Sequence, residues 1–176
     1  MLFFKGIIRK HLIYDFKRNL LPVNIKDYIL VYAFDVNKED RIELKKFAEK
    51  NNLKIISIVF NERYSWVDKN LFSIDPLEFV ALFEHAKYVY TSTFHGLLFA
   101  IKFKKQVALR NNSTIQSKCS WIIEYLKLHN ILISQKRNVS KIFNDNNLFD
   151  EMFDKYLKSL KRESISFLKN NIREQN

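Results

Sequence analysis

The residues Ala86-Lys87-Tyr88-Val89-Tyr90-Thr91-Ser92-Thr93-Phe94-His95-Gly96 decide how this chain is read. Tyr88–Thr91 is a short β-branched and aromatic run, the pattern of a strand buried on both faces. Gly96–Phe103 is apolar at helical spacing and follows almost at once. A strand passing straight into a helix leaves Thr91-Ser92-Thr93-Phe94-His95 at its carboxyl end, where three hydroxyls and an imidazole meet a helix start. The first N–H groups of a helix have no internal partners and carry positive dipole charge, so such an end suits phosphate or carboxylate. Gly96 is read as letting a ligand approach the backbone closely. His95 is read as binding an oxyanion when cationic, or as moving a proton near neutrality. N-capping is the structural alternative for the serine and threonines.

Working outward, the same alternation recurs. Tyr28–Phe34 and Lys54–Phe60 are buried apolar runs, hence strands, and Asp40–Lys50 carries Leu44, Phe47 and Ala48 on one helical face. Residues 61–74 have little periodicity and are read as a loop. Asp75, Pro76 and Glu78 have the spacing of a capping box with proline at the first helical position. Downstream, Gln106–Leu109 is a fourth strand, and Cys119, Ile122, Ile123 and Leu126 mark a helix. Residues 129–144 are mixed, with a short apolar piece at 131–133. From Leu148 to Asn171 apolar residues recur at helical spacing, as one helix or as two with a bend near Ser164.

Strands alternating with helices imply an α/β fold: a Rossmann-like parallel sheet with helices on both faces. Ligands of such sheets bind beyond the carboxyl ends of the strands, here the loops at 34–40, 60–75, 91–96 and 109–117. The chain divides into a helical arm or remnant of a first domain (1–26), a Rossmann-like domain (27–146) and a carboxyl-terminal helix or helices packing back on it (147–176). The arm has rough helical spacing with bases between its apolar residues, and peripheral membrane association is one reading of it.

Composition narrows the classes. With 176 residues and 47% hydrophobic content the chain can form a core without staples. One cysteine excludes an internal disulfide and a cysteine-based zinc cluster, and two glycines and two prolines exclude a collagen-like or turn-dense chain. No apolar run reaches the roughly 20 residues of a membrane span. No signal peptide is evident, so the expected location is the cytoplasm or the inner face of the membrane.

Net charge is +11. Residues 92–141 hold nine bases and one acid, a net +8 concentrated in fifty residues. That concentration favours an anion-binding face over a uniform compositional bias. No helix-turn-helix, finger or aromatic RNA-binding motif is present, so no nucleic-acid partner is expected. No metal-ligand spacing occurs, and neither metal nor cofactor is expected.

The run from Asp75-Pro76-Leu77-Glu78-Phe79 through Ala86–Gly96 to Phe99 and Phe103-Lys104-Lys105 resembles the polysaccharide pyruvyl transferase family. That family reads roughly Pro-x-Glu-Phe, a helix ending in Ala, then Val-x-Thr-Asp-Ser-Phe-His-Gly and a Phe-rich helix with a basic end. Tyr28–Phe34, Ser117–Leu128 (with Lys118 near a basic position) and Arg162–Leu168 are similar to further family segments.

The resemblance implies a GT-B-like fold of two Rossmann-type domains, of which this chain corresponds to the carboxyl-terminal half. It implies transfer of pyruvate from phosphoenolpyruvate to two hydroxyls of a glycan or lipid-linked sugar as a ketal, in cell-envelope or exopolysaccharide synthesis. It assigns the catalytic role to His95, with Ser92, Thr93, Phe94 and Gly96 shaping the donor pocket. Ser92 and Thr93 replace the family's Asp and Ser, and some branches have Arg where Thr93 stands. Lys102, Lys104, Lys105 or Arg110 are the candidates to supply the missing cation. Family members carry an amino-terminal domain as well, so a separately encoded amino-terminal half is an expected partner.

Ketal formation also needs a base. Asp35 and Glu62, at expected strand ends, are the candidates, with solvated loop acids as the bland alternative. Two further readings stay open: a GT-B glycosyltransferase domain using a nucleotide sugar, and a catalytically incomplete remnant or binding subunit. An imidazole sealed in apolar packing would exclude all donor-site readings.

Overall fold

The computed structural model describes residues 27–60, 62–145, 149 and 151–173. The amino-terminal arm lies outside them. Five strands, β1 (Tyr28–Tyr32), β2 (Lys54–Ile58), β3 (Lys69–Leu71), β4 (Tyr88–Thr91) and β5 (Gln106–Leu109), form one sheet in the order β3-β2-β1-β4-β5. Every pairing is parallel, with Leu30 opposite Ile56 on one side and Val89 on the other. Chain order reverses between β1 and β4, which places the topological switch point at their carboxyl ends.

Period-two alternation sends each strand's residues to two cores. Tyr28 and Leu30 of β1 join Val89, Val107, Leu82, Phe83, Leu97 and Cys119 on one face. That face is covered by α2 (Pro76–His85), α3 (Phe94–Lys102), α4 (Ser113–Tyr125) and, through Phe153, α6 (Glu151–Arg173). Ile29 and Val31 join Tyr90, Leu44, Phe47, Ile142 and Phe143 on the other face, under α1 (Lys38–Lys50) and α5 (Val139–Phe143). Fully burying one such side chain contributes about 1.5–3 kcal/mol, so the two cores dominate the stability of the domain. The Tyr28 hydroxyl, buried with them, donates to the Leu82 carbonyl at 2.7 Å, so no polar atom of that ring is stranded.

Asp75 caps α2 as its spacing predicts: its side chain accepts from Leu77 and Glu78 N–H, and Glu78 accepts from Asp75 N–H. The carboxyl-terminal helix α6 is one element through Ser164, without the bend the sequence left open. The 131–133 piece forms a single parallel bridge beside β5, with Ile133 N–H donating to Leu109 C=O at 3.0 Å.

One strand was not expected. β3 falls inside the 61–74 loop, and its three residues carry no apolar run. Polar side chains build this edge instead. Asp68 accepts from Ile55 N–H at 2.8 Å, and Asn70 accepts from Tyr64 N–H at 2.8 Å and from the Ser57 hydroxyl at 2.9 Å. The helix ends were equally hard to read. Asn52, Lys104 and Lys127 adopt positive φ just past α1, α3 and α4, where glycine is the usual residue.

Candidate active site

The β4–α3 junction folds largely onto itself. Thr91 Oγ1 donates to the Tyr32 carbonyl at 2.6 Å, tying the ends of β4 and β1 together across the switch point. Thr93 is the N-cap of α3, its hydroxyl accepting from Gly96 N–H at 3.0 Å. Both hydroxyls therefore bond within the scaffold, and Thr93 fills the capping role that the sequence left open for it. Ser92 is buried, and its carbonyl accepts from Asn112 Nδ2 at 3.1 Å, which links this loop to the start of α4.

Gly96 has a packing role. A Cβ there would stand 2.1 Å from Thr91 Oγ1 and 2.8 Å from Thr91 Cβ. The absent side chain makes room for the strand, which by itself accounts for the glycine. Phe94 packs against the core and meets the His95 ring edge-on, with centroids 5.5 Å apart. His95 itself is exposed on the first turn of α3. The Phe94 and His95 N–H groups head the helix without intrahelical partners, so the imidazole stands beside a positive dipole end.

The cations divide. Lys102 is the last residue of α3, seven residues or roughly 10 Å along the helix from His95, towards the amino ends of the strands. Its assignment to the site is withdrawn. Lys104 is paired with Asp154 of α6, and Lys105 is half-buried at the same end of the sheet; burial lowers its pKa and Glu84 partly offsets this. Arg137 is paired with Asp145. The +8 segment is thus not one face; the fold distributes its charges to both ends of the sheet.

Arg110 does reach the carboxyl end. Its backbone N–H donates to Thr91 C=O at 2.9 Å, and its side chain is 29% exposed. The guanidinium grips Asp40 with two bonds, Nε to Oδ2 at 2.7 Å and Nη2 to Oδ1. The Tyr90 hydroxyl donates to the same carboxylate at 2.6 Å. Burial would lower the Arg110 pKa, but the Asp40 carboxylate outweighs it and the net shift is upward. Burial, then Asp40, hold the Tyr90 hydroxyl far above the ordinary tyrosine range. Sequence reasoning missed Asp40 and Tyr90, because the triad joins α1, β4 and β5 and has no linear spacing. With Arg110 matched by Asp40, the unmatched positive character at the switch point comes from the head of α3 and from His95 when protonated. Two of the five guanidinium N–H donors serve Asp40, and the side chain keeps part of its surface in solvent.

A separate cavity of about 360 Å³ opens over the ends of β1 and β2, walled by the helix-free β2–β3 connection. Asp35 and Glu62 both line it, and none of the residues assigned to the donor site does. Of the other histidines, His129 pairs with Glu124 at 3.0 Å and His85 ends α2, while His11 lies outside the described residues. No cluster of metal-ligating side chains occurs among the described residues.

The family model for polysaccharide pyruvyl transferase matches residues 9–114, more than half of the chain and all of the β1–β5 sheet. The chain belongs to this family. The architecture is shared more widely. The crystal structure of Methanocaldococcus jannaschii UDP-GlcNAc 2-epimerase in complex with UDP-GlcNAc and UDP is similar over 88% of this chain, with a TM-score of 0.52 and 13% identity. This likeness shows the fold: a Rossmann-like sheet equivalent to one domain of a GT-B-like protein. This chain spans 49% of that epimerase. No curated protein sequence matches it. No helix among the described residues is long and apolar enough to cross a membrane.

Proposed function

We propose that this chain is the carboxyl-terminal half of a polysaccharide pyruvyl transferase and holds phosphoenolpyruvate at the β1/β4 switch point. One observation carries the reading: His95 is solvent-exposed on the first turn of α3, at the end of the strand where open α/β sheets bind ligands. In the reaction, a proton reaches the methylene carbon of phosphoenolpyruvate and two sugar hydroxyls add to its central carbon. The C–O bond to phosphorus breaks and inorganic phosphate leaves. Of the two hydroxyl protons released, one balances the new methyl group and the other leaves on phosphate. His95 is suited to deliver the proton, and the head of α3 with the open side of Arg110 to receive the phosphate charge.

The acceptor is a sugar of a cell-envelope glycan or its lipid-linked precursor, modified in the cytoplasm or at the inner face of the membrane. A second, facing domain completes the cleft, encoded separately or in a longer chain. Titration calorimetry tests the donor assignment: His95→Ala is expected to weaken phosphoenolpyruvate binding at least tenfold, and unchanged binding refutes it. A preference of the wild-type chain for nucleotide diphosphates would instead identify a glycosyltransferase-type site.

A further inference from the structure

The cavity over the carboxyl ends of β1 and β2 is a second built feature, at the same end of the parallel sheet as His95 but lined by other residues. The geometry points to it as the acceptor subsite, a platform on which one uncharged hexopyranose ring stacks; this rests on the transferase reading above for the ring being the acceptor. Four aromatic rings gather there. Phe34 and Phe60 are stacked at 4.2 Å with 27° between their planes, and Tyr64 and Trp66 lie 5.6 Å apart. Phe34 is 68% and Phe60 40% exposed. Stacking covers one face of Phe34, and its outer face stays in water at the mouth of a cavity; the C–H face of a pyranose would cover it, with Phe60 backing the ring.

The polar rim selects among ring ligands. Asp35 is 85% exposed at its side chain, and Glu62 is exposed beside it. Their oxygens can accept from sugar hydroxyls. The two cations of the rim are already engaged. Arg41 donates from Nε to the Val36 carbonyl at 2.5 Å and lies 3.7 Å from Asp35, and the Arg63 guanidinium sits 5.2 Å from the Phe72 ring centroid. Two acids and two bases make the cup formally neutral. A phosphorylated nucleotide would bring negative charge against the exposed acids, whereas a neutral polyol meets acceptors and aromatic faces together. The volume is at the lower end of the roughly 300–1,000 Å³ usual for small-molecule pockets, which suits a single ring over an extended oligosaccharide.

The cup is held rigidly enough to serve. The Tyr64 hydroxyl donates to the Ala33 carbonyl at 3.1 Å, binding the β2–β3 connection to the end of β1, and Tyr32 supports Phe60 from below at 5.1 Å. Asp35 and Glu62 then acquire a role that the donor site does not supply, because a base for the attacking hydroxyls belongs where the sugar binds.

Saturation-transfer NMR on the 176-residue chain tests this with the methyl β-glycosides of glucose, galactose, mannose and N-acetylglucosamine, and with uridine monophosphate as the nucleotide control. Saturation of the ring C–H protons of at least one glycoside is expected, with a dissociation constant in the millimolar range. Phe34→Ala and Phe60→Ala should each weaken it at least fivefold. Phe34→Leu, which keeps the apolar bulk and removes the aromatic face, should weaken it too, and His95→Ala should leave it unchanged. Absence of transfer to every glycoside overturns the proposal. So does transfer that survives both phenylalanine variants, or uridine monophosphate displacing the glycosides. Phosphoenolpyruvate binding that depends on His95, without glycoside binding, would remove this inference and leave the donor reading standing; glycoside binding without phosphoenolpyruvate binding would remove the donor reading, and with it the acceptor role of the sugar platform.

Discussion

Gly96→Ala separates packing from ligand approach as the reason for a glycine beside His95. The added Cβ would meet Thr91 Oγ1 at 2.1 Å, Thr91 Cβ at 2.8 Å and Thr93 Oγ1 at 2.8 Å. None of these atoms is the far end of a flexible side chain, and Thr91 is fully buried with its hydroxyl bonded to Tyr32. Either α3 moves away from β4 or Thr91 leaves its rotamer. Overpacking of this kind costs about 1–3 kcal/mol. Disturbing the Thr93 cap costs about 1 kcal/mol more. Alanine's helix propensity returns at most about 1 kcal/mol. The expected loss is therefore about 1–3 kcal/mol.

For a chain of this size that corresponds to a Tm lower by about 2–12 °C, read by calorimetry or by circular dichroism. Thr91→Ala removes the closest atom but keeps the Cβ. Gly96→Ala should therefore cost about 1 kcal/mol less in that background than in the wild type, a coupling within the range for residues in contact. A Gly96→Ala protein that melts with the wild type but loses phosphoenolpyruvate binding would refute the packing argument and restore the ligand-approach reading. Strict additivity with Thr91→Ala would refute it as well.

Two further outcomes follow from the ion-pair geometry. Asp40→Asn should destabilise the chain by about 3 kcal/mol, because it leaves the Arg110 fork uncompensated against a buried amide, whereas Asp35→Asn should change stability by less than about 0.5 kcal/mol; urea titrations compare them. The Asp68 carboxyl feels burial, which raises its pKa, but the Ile55 N–H and Lys54 outweigh this and hold it below the ordinary aspartate range. Its contribution is thus present above the unfolded-state pKa, about 3.9, and is lost as pH falls through the lower folded value. Asp68→Asn should flatten the acid limb of a stability-versus-pH curve without moving the neutral-pH slope, and an unchanged acid limb would contradict the assignment.

Much of this protein was legible along the chain because the information was local. Tyr28–Tyr32, Lys54–Ile58 and Tyr88–Thr91 are apolar enough to be strands wherever they fall, and Asp75, Pro76 and Glu78 start a helix through contacts spanning three residues. The position of His95 at a strand-to-helix junction followed from the same reasoning, and the surrounding run carries the family resemblance. What escaped was carried by long-range polar bonds. β3 exists because Asp68 and Asn70 reach across to β2 and the preceding loop, which no periodicity records.

The site shows the same division. Residue types and their order along the chain determined that an imidazole, a helix head and a basic segment would fall near the ends of parallel strands. Only the tertiary structure decided which cations belong there. A crossover helix carries its two ends to opposite ends of the strands, so Lys102 is removed from His95, while crossover connections bring Asp40, Tyr90 and Arg110 together from three elements. It also decided what Gly96 is for. The distance between two packed elements is set by the whole core, and the chain alone shows only that one of them has no side chain to offer.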